Sequence, residues 1–205
     1  MTRAELKRNA REKLGGQLFG PNWVNAVLVM AIFYILLTGA VNGIAGFGTL
    51  IMLVIGGPLS YGVAKLFLQQ CDDGQKMNPT EVFKGFSEDF GGSFILYLLR
   101  YLFIALWSIL LIIPGIVKMY SYSMAFFIKA DHPSYDWREC LDASSQLTYG
   151  HKWELFILDL SFIGWQIVGS LCLGIGTFWV NAYREATIAE YYRYYESNQV
   201  IDRDF

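Results

Sequence analysis

Between Trp23 and Val41 the chain runs for 19 residues without a single charge. A helix of that length, at ~1.5 Å per residue, spans the ~30 Å hydrocarbon core of a bilayer. Five more apolar stretches follow, over 49–68, 94–113, 116–130, 153–173 and 175–192. The expected fold class is therefore all-α: a transmembrane bundle of six helices in one membrane domain covering 1–205. The fourth stretch is short and must thin the bilayer or extend as helix into the turn before it. The second is interrupted by Gly56-Gly57-Pro58, and Pro114-Gly115 closes the third.

Composition agrees. Charged residues make up 17% of the 205, against about 25% in soluble domains, and 54% are hydrophobic. Sixteen basic and eighteen acidic residues give a net charge of −2, with no basic excess to suggest a nucleic-acid partner. Cys71, Cys140 and Cys172 are an odd number without metal-site spacing, so neither a disulfide framework nor a zinc site is expected. The first apolar run exceeds the ~7–15 residues of a cleavable signal, which favours a retained anchor helix.

The connections alternate. Asn42–Gly48, Pro114-Gly115 and Leu173–Gly176 carry no Lys or Arg, whereas the N-terminal segment holds five, and 69–93, 131–152 and the C-terminal tail hold most of the rest; Lys118 alone lies near a bare turn. Basic loops mark the cytoplasmic side, so both termini are expected inside, with three hairpins between them. Gly57, Gly115 and Gly176 recur 58 and 61 residues apart, trailed by Tyr61, Tyr122 and Tyr183, which suggests one hairpin used three times.

The basic segments have helix signals of their own. Thr2 and Glu5 read as a capping box opening a basic amphipathic helix within 1–20, with Leu6, Ala10 and Leu14 on one face. Asn78-Pro79-Thr80-Glu81 starts a second, and Asp136 caps a third that carries Trp137, Cys140, Leu141 and Ser144. Such helices lie in the headgroup plane or pack under the bundle. For the first, Arg3, Lys7, Arg8, Arg11 and Lys13 are candidate contacts to anionic lipid.

No phosphate-binding loop, zinc-protease helix or nucleophile elbow occurs, and no cofactor is expected. His132 and His151 read as solvated or capping loop residues, and Asp72-Asp73 as a solvated turn. Polar groups inside the spans carry more information, because lipid penalises them unless they face one another or a cavity. Asp159, Gln166 and Ser170 share one face; Thr177, Asn181 and Glu185 share another, with Arg184 beside them. Lys118, Tyr122 and Lys129 mark the fourth span, and Gly56, Ser60 and Ala64 form a small-residue stripe on the second. Arg100 and Asp159 each stand six residues into their spans, roughly 9 Å deep, and are expected to pair. The cluster Arg100, Asp159, Gln166, Asn181 and Glu185 is either a polar site or buried glue, and glue is the favoured reading.

At Pro114-Gly115-Ile116-Val117-Lys118 and Tyr120-Ser121-Tyr122-Ser123-Met124 the chain resembles an uncharacterised bacterial integral membrane family, domain of unknown function number 975. Ala130-Asp131-His132-Pro133, Ala143-Ser144-Ser145, Gly150-His151-Lys152 and Leu160-Ser161-Phe162-Ile163-Gly164-Trp165 extend the likeness, which runs from Thr2 to Tyr192. The last helix departs from it, with Asn181-Ala182-Tyr183 where a Pro-Tyr pair is expected. More distantly the chain is similar to the membrane-anchor domain of some glycerophosphodiester phosphodiesterases. The resemblance implies a bacterial plasma membrane and six helices, and no catalytic residue. The expected function is a non-enzymatic module that binds membrane lipids, a protein partner or a second copy of itself. The alternative is a small transporter with its site between spans three, five and six.

Overall fold

A computed structural model describes residues 2–16, 20–43, 48–73, 77–171 and 174–203, and among these every regular element is a helix. The expected turn around Gly46, Cys172 with Leu173, and Gly74 after Asp73 lie outside the described residues.

The first helix, α1 (Arg3–Lys13), has the Thr2–Glu5 capping box in full and stops where Gly15 and Gly16 take φ of 99° and 70°. It is shorter than the expected 1–20. Next come α2 (Pro21–Gly43) and α3 (Gly48–Asp73), the latter continuous through Pro58. Asn78 caps a 3₁₀ turn (Pro79–Phe83) that leads into α4 (Lys84–Glu88).

Then α5 (Phe90–Leu110) is capped by Asp89 and ends earlier than expected, because Leu111 is extended and the chain restarts at once as α6 (Ile112–Ser121). Pro114-Gly115 does not close a helix but lies in the first turn of the next. The missing N–H of Pro114 costs nothing there, since the first four amides of a helix have no intrahelical acceptor. The expected fourth span, 116–130, is not one helix either. It breaks at Tyr122–Met124 and resumes as α7 (Ala125–Asp131).

That break is held by α8 (Trp137–Leu147), which the Asp136–Glu139 capping box opens. Ser144 Oγ accepts the Met124 N–H at 3.1 Å and donates to the Ser121 carbonyl at 2.7 Å, while Thr148 also reaches Ser121. Buried amides freed by a helix break must find partners, and one serine supplies two of them. Last come α9 (Lys152–Leu171) and α10 (Ile175–Arg203), the latter running well past the expected end at 192.

Two helices organise the bundle. α3 packs against α2, α5, α7 and α10, and α10 packs against α1, α2, α3 and α9. Small residues on α3 permit the close contacts. A side chain at Gly57 would collide with the Ser93 backbone, and one at Gly62 with Val82. Asn25, Asp72, Asp89, Lys129, Glu154 and Tyr195 all bond at one end, here the charged end.

Four helices, α2, α3, α5 and α9, are long and apolar enough to cross a membrane. Away from the charged end large apolar side chains face outward: Ile109, Ile112, Ile113 and Leu171 are 75–85% exposed. So wide an apolar belt has no place against water.

Candidate functional site

Of the polar residues expected inside the spans, Arg100, Asp159, Arg184 and Glu185 converge where α5, the α6–α7 break, α9 and α10 meet. Arg184 on α10 grips Asp159 on α9 with a planar fork, Nε to Oδ1 at 2.7 Å and Nη2 to Oδ2 at 3.0 Å. The Tyr120 hydroxyl donates to the same Oδ2 at 3.2 Å, and the remaining arm of Arg184 reaches Glu185 Oε1 at 3.0 Å.

The expected Arg100–Asp159 pair is therefore not formed. Both Asp159 oxygens are taken by an arginine on the neighbouring helix. Arg100 also lies deeper than expected, ten residues after Phe90, the first residue of α5, and so roughly 15 Å along it. Its guanidinium sits 5.6 Å from the centre of the Phe126 ring, and its buried Nε has no hydrogen-bond partner.

These groups line a cavity of about 230 Å³. Arg100, Asp159, Arg184, Tyr120 and Ser123 supply its polar part; Ile104, Met119, Met124, Leu155 and Ile188 supply apolar wall. Tyr101 and Met119 form an exposed rim, 47% and 41% accessible, so the mouth opens on the surface that carries the apolar belt. Gln166 and Asn181 stand apart from it and satisfy each other, Nε2 to Oδ1 at 2.7 Å.

A second network holds the charged end. Arg193 bonds Asp72 on α3, Asp131 on α7 and Glu196 on its own helix, while Tyr192 donates to Asp131 and Glu196. Asp72 is thus an anchor on the last turn of α3 rather than a solvated turn residue. Asp131, His132 and Glu196 are close enough to suit a cation, but Arg193 and Tyr192 already occupy the two carboxylates. Buried Lys129 is held by Asp89 at 2.9 Å and by the carbonyls of Pro133 and Tyr135. Sequence reasoning placed Lys129 on a span and passed over Asp89, although an acid before Phe90-Gly91-Gly92 is an N-cap signal.

The basic face of α1 is split. Lys7 bonds Ser161 and sits 4.1 Å over the Phe162 ring, and Lys13 bonds Glu190 at 2.5 Å. Leu6, Ala10 and Leu14 are buried. Two of the five proposed lipid contacts therefore point into the protein, because the apolar stripe that orients the helix carries them inward. Arg3, Arg8 and Arg11 stay exposed.

An all-helical bundle with four helices long and apolar enough to cross a membrane, and with an outward apolar belt, has the build of a membrane protein. The chain belongs to the family described as "Protein of unknown function (DUF975)", whose family model matches residues 1–125 and 109–199. No curated protein and no solved structure matches it.

Proposed function

We propose that this chain is a non-enzymatic, multi-pass module of the bacterial plasma membrane that binds membrane lipid through its lateral cavity. One observation carries the reading: the cavity has cationic groups at its polar side, apolar walls, and a rim on the apolar belt. A pocket with that gradient is matched to an amphiphile entering sideways from the bilayer.

In this reading the helices form three hairpins and six crossings, α2 with α3, α5 with the broken α6–α7 pair, and α9 with the first half of α10. The charged end is cytoplasmic, as the Lys and Arg of the long connections favour. Asp159, the only carboxylate among the described residues that line the cavity, is bonded by Arg184 and Tyr120, which favours a binding role over acid–base chemistry.

Native mass spectrometry of protein extracted from its membrane should show one retained anionic lipid that zwitterionic lipid does not replace. Solute flux in proteoliposomes without such retention would favour the small-transporter alternative. Single cysteines at Ile175 and Arg138, both exposed, test the orientation. An impermeant thiol reagent should label the first in intact cells; labelling of the second would reverse the sidedness.

A further inference from the structure

Among the described residues three arginines are not exposed, Arg100, Arg184 and Arg193, and all but Arg100 are matched with bonding partners, as is buried Lys129. Arg184 has Asp159 and Glu185, Arg193 has three carboxylates, and Lys129 has Asp89 with two carbonyls. Arg100 makes no hydrogen bond or ion pair; it lies against the face of Phe126 and its buried Nε is unsatisfied. Glu185 acts on Arg100 through its charge but gives its hydrogen bond to Arg184. A guanidinium has five donors in a fixed fork and binds carboxylate or phosphate bidentately. Leaving that capacity unused beside a cavity in an apolar span is costly unless a ligand fills it.

We infer that Arg100 is an oxyanion anchor, and that its ligand is the phosphate of an anionic phospholipid headgroup. This rests on the lipid-binding reading above and names the group that does the binding. Three features select a lipid over a free anion. The cavity wall is largely apolar, with Ile104, Met119 and Met124 on it. Its volume of about 230 Å³ accepts a headgroup phosphate and the first carbons but not whole acyl chains. The chains have somewhere to go, since Tyr101, Leu102 and Leu106 on α5 and Ile116 and Met119 on α6 are exposed beside the mouth. Arg100 precedes Tyr101, Leu102 and Leu106 on α5, so the chains of a lipid whose headgroup it holds can lie along that exposed face. Asp159 does not oppose the anion with a free charge, because Arg184 and Tyr120 hold both its oxygens.

The test uses full-length protein in nanodiscs of zwitterionic lipid, titrated with phosphatidylglycerol and, in a separate arm, with inorganic phosphate. Wild type should retain phosphatidylglycerol in native mass spectrometry. Arg100→Gln should bind it about tenfold more weakly, the loss expected for a charge-assisted bidentate contact. Arg100→Lys should recover part of that. Met119→Trp, which narrows the mouth and keeps Arg100, should weaken binding as well, so misfolding of one variant leaves the other to decide. Equal binding by wild type, Arg100→Gln and Met119→Trp overturns the anchor while leaving lipid binding intact. No preference of wild type for the anionic lipid removes the lipid-binding reading too. Arg100-dependent binding of inorganic phosphate at comparable strength overturns the lipid headgroup as the source of the anion.

Discussion

Arg184 and Asp159 are joined by two parallel hydrogen bonds of 2.7 and 3.0 Å between α9 and α10. Neither side chain is more than a third exposed, so removing one partner strands the other in a poorly solvated place. Asp159→Ala and Arg184→Ala should each lower stability in detergent by about 2–3 kcal/mol. The exchange Asp159→Arg with Arg184→Asp should recover much of it. Thermal denaturation of the three variants checks this, and additive losses in the exchange would refute the pairing.

At the charged end the same logic gives a pH dependence. Burial opposes the charge of Asp131, but hydrogen bonds and charge from Arg193 outweigh it, holding the carboxyl below the ordinary value of 3.8. A group depressed on folding contributes stability above its unfolded pKa and loses it as pH falls through the folded one. Wild type should therefore lose stability below about pH 4 partly through this residue. Asp131→Asn should be less stable at pH 7 by about 1 kcal/mol and converge on wild type in acid. Asp72 and Glu196 share Arg193, so some acid sensitivity should survive. Unchanged stability at pH 7 would show that the network holds without this arm.

What could be read in advance was local. The Thr2 capping box and the Asn78 and Asp136 caps depend on residues within three positions, and all three formed. The partner of Asp159 was not legible, because Arg100 and Arg184 both stood at suitable depth and only the packing of α9 on α10 chose between them. Pro114-Gly115 misled for a related reason: a proline that ends one helix is equally at home in the first turn of the next. The hub on Arg193 joins residues 121 and 62 apart, a distance at which sequence pattern carries no register. The break at Tyr122–Met124 depends on Ser144, which no signal around residue 122 announces.

Glycines on α9 offer a controlled comparison. A Cβ on Gly169 would stand 2.8 Å from the Gly176 backbone, whereas one on Gly164 would meet nothing within 4 Å. Gly169→Ala should push α9 from α10 and cost about 1–3 kcal/mol. Gly164→Ala should be neutral, or stabilise by up to about 1 kcal/mol through helix propensity. Equal effects in a melting experiment would mean that the α9–α10 contact is looser than these distances require.

The final expectation concerns what holds α1. Five basic residues suggested attraction to anionic headgroups, but the helix buries Leu6, Ala10 and Leu14 and is bonded to the bundle at Lys7 and Lys13. The Tyr183 hydroxyl donates to the Lys7 carbonyl, Gln70 to the Lys13 carbonyl, and the Cys71 thiol to the Glu190 carboxylate that bonds Lys13. Apolar burial of three side chains is worth several kcal/mol, more than the ~1 kcal/mol per residue available to Arg3, Arg8 and Arg11 at a charged surface. Trypsin should therefore cut at Arg8 and Arg11 equally slowly in zwitterionic and anionic nanodiscs. Ala10→Glu, which places a charge in the buried seam, should speed cleavage about tenfold or more in both, as a loss of ~1.4 kcal/mol or more in docking requires. Glu190→Gln should have a smaller effect of the same sign, since the Lys13 side chain is 40% exposed and its ammonium can turn to water. Protection that appears only with anionic lipid would instead show that the bilayer, not the bundle, holds the helix in place.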